Sequence, residues 1–403
     1  MGVAYRAIFL SLRENDGYRG RSEMREVAVI GVGSTIFGKW KDLSLEELGR
    51  RAVEAALEDS GVSYDKVQLA CCANVYGGMC LGQSVMKEVG ITRVDMMNVE
   101  NACASGSSAF NIVYRAIASG ECDVGLAFGV EKMTALAPAQ LAPPETDLDA
   151  NMGLLFPAFF ALIMRRYLDR YGITMEQVAQ VAVKNRHHGC LNPNAQYKNE
   201  MSISDVLSSR MIADPITMLQ CCPNTDGAAA TVLCAADLAN KYCSKPVLVA
   251  ASVVTSGDYQ WRQRDITFSD MTYRTAQKAY EVAEMKPDDI DVCELHDAFA
   301  VNELMHYEEL GFCDVGEGGR LVESGATSLG GKIPVNVSGG LLSKGHPLAA
   351  TGVAQLAEIV WQLRDEAGQR QVKGAKVGLA HVLGGAVTGL ESGACTVHIL
   401  KRC

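Results

Sequence analysis

The sequence predicts an α/β protein made of two similar halves with an insertion between them. Apolar segments of strand length alternate with helical patterns, which is typical of sheets covered by helices. The composition agrees, because 403 residues with 48% hydrophobic residues, 39 glycines and only 6% aromatic residues suit a large core with close helix–sheet packing. We therefore expect mostly parallel sheets with helices on their faces.

The first half has a clear order of elements. Residues 27–33 form an apolar strand pattern that ends in glycines, and an amphipathic helical pattern follows over 45–59. A second strand pattern ends at 98–99, and a helical pattern then runs to about residue 118. Residues 122–127 form the last strand pattern of this half.

The second half repeats this order. Its strand patterns lie at 246–251, at the end of the segment 286–292 and at 375–380. Its helical patterns lie at 272–283 and in the segment that ends near residue 363. The string Val-Gly-Leu-Ala occurs at 124–127 and again at 377–380, and Asn-Val occurs at 98–99 and again at 336–337. Such short identities can arise by chance, but the shared order of elements indicates a duplicated unit.

We expect four regions along the chain. They are an N-terminal extension (1–23), a first half (24–130, completed by part of 215–240), an insertion (131–240) and a second half (241–403). The insertion has its own helical patterns at 159–171 and 175–188, and it would be a natural cover for a ligand cleft.

The overall charge and the cysteine pattern argue against several classes of protein. The formal net charge is −10 and no long basic run occurs, which disfavours nucleic acid and the membrane surface as partners. No apolar segment reaches membrane-spanning length, and the apolar patch at 7–10 is too short for a secretory signal. The 14 cysteines are scattered without a Cys-x-x-Cys pair, which indicates a reducing compartment. We expect a cytoplasmic protein whose chain binds no metal.

Cys103 is the first candidate for chemistry. It lies in the string NVENACASGSSA at 98–109, where an apolar segment runs into small residues and then into a helical pattern. A strand, a tight turn and a helix would place the thiol at a helix N-terminus, where free N–H groups and the helix dipole stabilise a thiolate. A thiolate accepts an acyl group from a thioester with little change in energy. The alternative is a small buried cysteine.

Two histidines and a glycine pair in the second half weaken that alternative. His296 stands in ELHDAF, where a strand pattern gives way to a helix, and His346 stands in SKGHP, where glycine allows a close backbone approach. Gly384 and Gly385 follow the strand pattern at 375–380 and would offer a bare backbone N–H group to an oxyanion. A single histidine is more often structural, but two in such settings indicate a site.

At these motifs the sequence resembles the thiolase superfamily, and in particular the sterol-carrier-type thiolases and their archaeal and bacterial relatives. The resemblance covers about 25–400 and includes the strings GVEKM (129–133), TDGAA (225–229) and SKGHP (343–347). It implies a five-layer αβαβα fold from two βαβαβαββ halves, in which the insertion is a loop domain over coenzyme A. It also implies a homodimer or a higher oligomer.

The resemblance implies a role for each candidate residue. Cys103 would be the nucleophile that becomes acylated, and His346 would be the base that keeps it a thiolate. His296 and His346 would bind the thioester oxygen of the enolate, whereas the backbone N–H groups of Cys103 and Gly385 would hold the oxygen of the acyl group. Such an enzyme cleaves a β-ketoacyl-CoA with coenzyme A as co-substrate.

One position departs from the family pattern. Thiolases usually carry a second cysteine, in Cys-x-Gly near the C-terminus or in His-Asp-Cys-Phe, which moves the proton at the α-carbon. Here Ala298 replaces the cysteine of His-Asp-Cys-Phe, and the segment 381–384 has no cysteine that could belong to Cys-x-Gly. His296, a water molecule or a cysteine such as Cys80 would then handle the proton, or the substrate needs less help.

This departure makes an aryl or branched substrate a reasonable hypothesis. The branch includes benzoylsuccinyl-CoA thiolase, so cleavage of 2-benzoylsuccinyl-CoA to benzoyl-CoA and succinyl-CoA is one candidate, with a small zinc-containing OB-fold subunit as partner. The wider alternative is an acetoacetyl-CoA or 3-ketoacyl-CoA thiolase of lipid or isoprenoid metabolism. Two further alternatives are a condensing enzyme similar to the ketoacyl synthases, and a non-catalytic subunit that binds acyl-CoA or belongs to a lyase.

The residues that would bind coenzyme A are less clearly marked. The run KNRHH at 184–188 is the best basic cluster of the insertion, and Lys184 and Arg186 are the candidates for contacts with phosphate. The alternative is a solvated helix face. Arg262 and Arg264 form a second, weaker candidate.

Overall fold

The computed structural model of the protein describes residues 24–136, 147–259, 265–387 and 391–403. The predicted N-terminal extension (1–23) and the candidates Arg262 and Arg264 lie outside the described residues. The strands are β1 Val27–Ser34, β2 Leu69–Ala73, β3 Asp95–Val99, β4 Val124–Lys132, β5 Met211–Ala213, β6 Ile216–Thr217, β7 Asp226–Ala235, β8 Val247–Thr255, β9 Val292–Glu294, β10 Val377–Gly384 and β11 Ala394–Arg402.

Short and long α-helices connect these strands. They are α1 Leu45–Ser60, α2 Leu81–Val89, α3 Ser105–Ser119, α4 Met133–Leu136, α5 Leu148–Asn151, α6 Phe156–Tyr171, α7 Met175–Cys190, α8 Ile203–Ser208, α9 Ala236–Tyr242, α10 Asp270–Ala283, α11 Ala300–Glu309, α12 Gly318–Glu323, α13 Gly340–Ser343 and α14 Leu348–Leu363. No helix within the described ranges is long and apolar enough to cross a membrane.

Nine strands form one continuous hydrogen-bonded ladder in the order β3-β2-β4-β7-β1-β8-β11-β10-β9. The strands of the two halves meet only where β1 lies beside β8, with Ala28 opposite Leu248 and Val29 opposite Val247. Strand β7 follows the insertion in sequence but lies between β4 and β1, so it completes the first half.

The expectation of mostly parallel sheets is wrong. Among the described strands of this ladder, three pairs are parallel: β2–β3, β2–β4 and β9–β10. The other five pairs are antiparallel: four of them involve β7 or β11, which run back between their neighbours, and the fifth is β1–β8. Both returning strands are almost entirely buried, and an apolar strand that is covered on both faces does not reveal its direction in the sequence.

The elements stack in five layers, as the family resemblance implies. Helices α1 and α2 cover one face of the first-half strands with an apolar core of their own. Helices α3 and α14 form the central layer, because their apolar side chains share one core with strands of both halves. The second-half strands follow, and α10 and α11 cover their outer face together with the insertion helices α6 and α7.

The repeated string Val-Gly-Leu-Ala occupies equivalent places in the two halves. It begins β4 in the first half and β10 in the second, and these strands lie beside β2 and β9 respectively. A side chain on Gly125 would collide with Val113 of α3, and one on Gly378 would collide with Ile359 of α14. In each half, the glycine of this string therefore allows the central helix of that half, α3 or α14, to pack closely against the sheet.

The central layer is unusually close where α14 begins. A Cβ atom on Gly106 of α3 or on Gly129 of β4 would collide with the carbonyl oxygen of Ala349. One turn further on, a Cβ atom on Gly352 would collide with Ser107. The start of the second-half helix thus rests on the backbone of the first half, with no room for a side chain between them.

Helices with strong periodicity lie close to their predicted positions. The insertion helices α6 (Phe156–Tyr171) and α7 (Met175–Cys190) extend the predicted segments by two or three residues. The sequence analysis did not identify β2, α2 or β11. The four domain limits proposed from the sequence stay predictions. All 14 cysteines lie among the described residues, and each is a free thiol.

Candidate active site

Cys103 lies in the sharp turn between β3 and α3. The residue before it, Ala102, has a φ of +49°, a left-handed conformation that costs a residue with a side chain about 1 kcal/mol. Helix α3 begins at Ser105, so the thiol stands at the N-terminal end of a helix, as predicted. The Cys103 side chain is buried, with 8% of the residue exposed.

Short side chains of the same segment hold this turn. The Ser105 hydroxyl accepts a hydrogen bond from the Asn101 N–H (2.8 Å) and donates one to the Ala102 carbonyl (2.6 Å). The Asn101 amide donates to the Ser108 hydroxyl at 2.8 Å. These three hydrogen bonds stay within the segment, and they offset part of the strain at Ala102.

His346 reaches Cys103 from the other half. Its Nε2 atom lies 3.2 Å from the Cys103 sulfur, and its Nδ1 atom lies 2.7 Å from the Thr351 hydroxyl. The same hydroxyl donates to the Pro347 carbonyl at 3.0 Å, so it has no second proton to give and accepts from Nδ1–H. This assigns the imidazole proton to Nδ1 and leaves the Nε2 lone pair directed at the thiol.

Two features of the chain fix the His346 loop. Gly345 has a φ of +113°, which only glycine adopts readily, and a side chain there would also collide with Thr225. The Thr225 hydroxyl accepts a hydrogen bond from the His346 backbone N–H at 3.1 Å. Thr225 belongs to the TDGAA string that the sequence analysis singled out.

His296 completes the cluster. Its ring packs edge-on against that of His346, with the ring centres 5.3 Å apart. The Nδ1 atom of His296 is buried and has no hydrogen-bond partner among the described residues. Burial, followed by the nearby His346 and His306 rings, lowers the pKa of His296 well below its usual range. This imidazole is therefore neutral and free to bond a substrate oxygen.

The donor atoms of Cys103, His296 and His346 all lie within 4.8 Å of one another. Thiolate and imidazole are also the donors that zinc prefers, and three such ligands suit a catalytic zinc site. The spacing of this group alone therefore does not distinguish a metal centre from a nucleophile with its base. The prediction that this chain binds no metal stays a prediction.

Asp297 ties the His296 loop to the His346 loop. Its carboxylate accepts hydrogen bonds from the backbone N–H groups of Leu341 (2.7 Å) and Leu342 (3.3 Å) in the turn before His346. The Asn185 amide of the insertion donates to it as well, at 2.8 Å. Burial, with a contribution from the adjacent Glu303, raises the pKa of Asp297 to about 7.

Gly385 lies where the sequence analysis expected an oxyanion site. Burial raises the pKa of the Cys103 thiol to about 12, whereas hydrogen bonds from the backbone N–H groups of Gly385 and of Cys103 itself lower it. Burial also lowers the pKa of His346 to about 3. Both shifts favour the neutral forms of this thiol and this imidazole, and the role of His346 in keeping Cys103 a thiolate stays a prediction.

Cys103, His296, His346 and Gly385 line one cavity of about 1580 Å³. Part of its wall is aromatic, and the rest is a mixture of apolar and charged side chains. The aromatic lining includes Phe156, Phe159, Phe160, Phe268 and Phe299. The insertion contributes the first three of these residues through α6, so it forms part of the roof of the site. A bulky apolar group fits such a wall.

The two proposed coenzyme A contacts have different environments. Arg186 lines the cavity, its guanidinium stacks 4.5 Å from the Tyr197 ring centre, and its Nε has no partner among the described residues. Lys184 does not line the cavity. Its ammonium is buried 2.8 Å from the Glu303 carboxylate and also donates to the Val335 carbonyl. The alternative of a solvated face holds only for the exposed His187.

Cys222 is a cavity residue that the sequence analysis overlooked. It lines the same space as Cys103 and His296, and its backbone N–H donates to the Ala298 carbonyl at 2.9 Å. The adjacent pair Cys221-Cys222 shortly before TDGAA was visible in the sequence, but nothing there indicated which elements it faces. Cys80, by contrast, is exposed and is not among the residues that line the cavity.

Comparisons with known proteins agree with this geometry. Residues 27–237 match the family model "Thiolase, N-terminal domain", and residues 253–401 match "Thiolase C-terminal domain-like". An acetyl-CoA acetyltransferase of Methanothermobacter thermautotrophicus is 43% identical over 94% of this chain and 100% of its own length. The benzoylsuccinyl-CoA thiolase subunit BbsB of Thauera aromatica is 40% identical over 90% of this chain and 95% of its own length.

A solved structure is similar as well. A chain of the solved structure "Ltp2-ChsH2(DUF35) aldolase" superposes with a TM-score of 0.82 at 26% sequence identity. The match covers 94% of this chain and 98% of that chain. The family models, the curated relatives and this structure therefore all cover both halves and the insertion.

Proposed function

The chain is an acyltransferase of the thiolase family, and on that premise we propose that it cleaves a β-ketoacyl-CoA with coenzyme A through an acyl group carried by Cys103. The observation that carries the proposal is the 3.2 Å contact between the Cys103 sulfur and the Nε2 atom of His346. A nucleophile needs a base within hydrogen-bond reach and a third group that orients the base, and Thr351 is that third group.

The first half of the reaction loads Cys103. The sulfur attacks the ketone carbon of the substrate while its proton passes to Nε2 of His346. The ketone oxygen gains the negative charge, which the backbone N–H groups of Cys103 and Gly385 stabilise. When this intermediate collapses, the carbon–carbon bond breaks and the electron pair leaves on the second CoA ester as an enolate. His296 and protonated His346 bond the enolate oxygen until its α-carbon receives a proton from an acid in the cavity, and that acid then takes the proton that His346 received from Cys103.

The second half of the reaction releases the product. Free coenzyme A gives its thiol proton to neutral His346, and its sulfur attacks the thioester on Cys103. The same two N–H groups hold the oxygen again. Cys103 leaves as a thiolate and recovers the proton from His346. The sum is one β-ketoacyl-CoA and one coenzyme A converted to two acyl-CoA molecules, with the enzyme unchanged.

We expect the substrate to carry an aryl or otherwise bulky acyl group, such as 2-benzoylsuccinyl-CoA. The aromatic wall of the cavity and the similarity to the benzoylsuccinyl-CoA thiolase subunit support this. An acetoacetyl-CoA or 3-ketoacyl-CoA thiolase is the alternative, supported by the similar archaeal acetyltransferase. Arg186 is the candidate for contact with a coenzyme A phosphate, because it is a cation that lines the cavity and has an unpartnered donor.

The assembly and the partner of the chain belong to the same proposal. We expect a cytoplasmic homodimer or higher oligomer that acts with a small OB-fold subunit carrying zinc. The structure of the aldolase supports such a partner, since its name joins a chain similar to this one with a DUF35 protein. Metal analysis of this chain purified alone should find no stoichiometric zinc, and zinc bound at Cys103 would contradict the proposed role of its thiol.

The proposal is tested by intact-mass analysis after mixing the protein with acetyl-CoA, benzoyl-CoA or a medium-chain acyl-CoA. We expect a mass increase equal to one acyl group on the wild-type chain and none on Cys103→Ala. The ester that loads fastest identifies the acyl side of the substrate. Absence of any adduct in the presence of the partner subunit would contradict the proposal and favour a non-catalytic subunit.

Carbon–carbon cleavage needs a second assay. Wild-type protein with its partner should convert 2-benzoylsuccinyl-CoA to two CoA esters only when coenzyme A is added. Cleavage without coenzyme A would favour a lyase, which the similarity to an aldolase makes the second candidate function. Decarboxylation of malonyl-CoA would instead favour a condensing enzyme. Failure with this substrate but cleavage of acetoacetyl-CoA would keep the thiolase activity and change only the substrate.

A further inference from the structure

The His-Asp-x-Phe motif of this chain lacks the thiol that would protonate the α-carbon of the enolate. When the leaving enolate accepts its proton, some acid has to stand beside the α-carbon. Ala298 occupies the place where that thiol is expected, and a methyl group has no proton to give. The acid therefore has to come from another element that reaches the same place.

The segment 221–224 runs between the loops that carry the two catalytic histidines. Cys221 forms an antiparallel bridge with Phe299, and Asn224 forms a parallel bridge with His346. This stretch of backbone is therefore held on one side by the His-Asp-x-Phe loop and on the other by the Gly-His-Pro loop. Cys222, one of the two residues between these bridges, lines the cavity together with Cys103 and His346.

The register of the bridge fixes where the Cys222 side chain points. Because Cys221 is opposite Phe299 in an antiparallel pair, Cys222 is opposite Ala298, and the hydrogen bond from Cys222 N–H to the Ala298 carbonyl at 2.9 Å agrees. Residues that are directly opposite project to the same face of the pair, with Cβ atoms about 5 Å apart. A thiol on residue 222 therefore reaches the space that a thiol on residue 298 would occupy.

Cys221 also lines the cavity, but its side chain leaves the opposite face of the strand. Successive side chains of an extended strand point to opposite faces, and the Cys221 thiol donates to the Thr217 carbonyl at 3.5 Å. The electrostatic setting agrees with the distinction. Burial, followed by the nearby Cys221 and Cys103 sulfurs, raises the pKa of Cys222 well above its usual range, so its thiol keeps its proton at neutral pH.

We infer that Cys222 is the acid that protonates the α-carbon of the leaving enolate and the base that removes that proton in the reverse direction. The S–H bond of Cys222 breaks as the new C–H bond forms, and the electron pair of the enolate supplies that bond. The thiolate left on Cys222 then takes the proton that His346 received from Cys103. Both groups return to their neutral forms before coenzyme A attacks. This role rests on the proposed thiolase function.

The test measures solvent exchange at the α-carbon. Acetyl-CoA and succinyl-CoA are incubated in D₂O with the enzyme and its partner subunit, and deuterium in each ester is followed by mass spectrometry. General acid–base catalysis contributes about 10²-fold or more, so Cys222→Ala should lower the exchange rate by at least about a hundredfold. Acylation of Cys103 from the same esters should stay within about twofold of wild type, because it needs no proton at the α-carbon.

Two further variants separate this role from damage to the fold. Cys221→Ala is the matched control and should exchange deuterium at the wild-type rate. Ala298→Cys placed in the Cys222→Ala background returns a thiol to the same space and should restore most of the lost exchange. Exchange by Cys222→Ala at the wild-type rate would overturn the inference and leave the proposed function intact. A wild-type enzyme that is neither acylated nor active in exchange would refute both.

Discussion

The two halves place Cys103 and His346 at equivalent points. Cys103 lies two residues before α3 begins at Ser105, and His346 lies two residues before α14 begins at Leu348. Each residue follows an Asn-Val pair, and the two helices pack against each other in the central layer. The positive end of a helix favours a developing thiolate and disfavours an imidazolium. One duplicated position therefore stabilises the anion of Cys103 and makes protonated His346 a stronger acid, which returns its proton readily.

The halves differ in how they hold these residues. In the first half, three residues separate Val99 from Cys103, and hydroxyl and amide groups of the same turn form its hydrogen bonds. In the second half, eight residues separate Val337 from His346, and the turn depends on Asp297 and on buried charges that include Lys184 of the insertion. The nucleophile is thus positioned by its own neighbours, whereas the base is positioned by residues far away in sequence.

The largest expected effect tests this difference through stability. Lys184→Met removes the cation from a pair whose side chains are 1% and 0% exposed, and leaves Glu303 charged and buried. Loss of one partner from a buried pair costs about 3–5 kcal/mol. Urea unfolding should therefore show a fall of this size in the free energy of unfolding.

Two controls sharpen the contrast between the halves. Ser108→Ala removes a neutral acceptor from the Cys103 turn and should cost only about 1 kcal/mol. The double variant Lys184→Met/Glu303→Leu removes both buried charges and should recover part of the loss. If Lys184→Met lowered the free energy of unfolding by no more than Ser108→Ala, the buried charges would not support the second half in the way proposed.

The next effect concerns the state of the Cys103–His346 pair. Burial raises the pKa of the thiol to about 12 and lowers the pKa of the imidazole to about 3, so neither group titrates between pH 6 and pH 8. The thiolate fraction then grows about tenfold per pH unit. Alkylation of Cys103 by iodoacetamide should accelerate about a hundredfold across this range, as followed by intact mass. A rate that is constant from pH 6 to pH 8 would instead show a thiolate–imidazolium pair in the resting enzyme.

The smallest expected effect concerns the orientation of the base. Thr351→Val removes the acceptor for Nδ1–H of His346 while keeping the side-chain volume nearly unchanged. A hydrogen bond of this kind contributes about 1 kcal/mol, so the rate of Cys103 acylation should fall roughly five- to tenfold. Thr351→Ser keeps the hydroxyl and should retain most of the rate. Equal rates for the two variants would mean that packing alone orients the imidazole.

The sequence was sufficient to predict the local parts of the site. Cys103, His296 and His346 were identified from motifs a few residues long, and the structure brings all three together. Gly385 was identified in the same way, and its N–H group meets the Cys103 sulfur. In each case the signal is a glycine, a small residue or a proline that the turn itself requires, and such requirements are visible in a single segment.

The remaining features depend on pairings between distant segments. Lys184 belongs to the most basic run of the insertion, but its partner Glu303 lies 119 residues away, and no local pattern indicates that the pair is buried. Cys222 acquires its position only through the bridge to the Ala298 segment. Strand direction was predicted wrongly for the same reason, because an apolar strand carries no information on which neighbour it will meet.

The contact of Ala349 with Gly106 and Gly129 has a consequence for how the two halves can change over time. A side chain gained at either glycine would push the start of α14 away, and His346, only three residues earlier, would move with it. The distance between His346 and Cys103 therefore depends on Gly106 and Gly129, which belong to the half that does not contain His346. The two halves therefore cannot change sequence independently, because the backbone of the second half limits which residues are tolerated at these glycines of the first half.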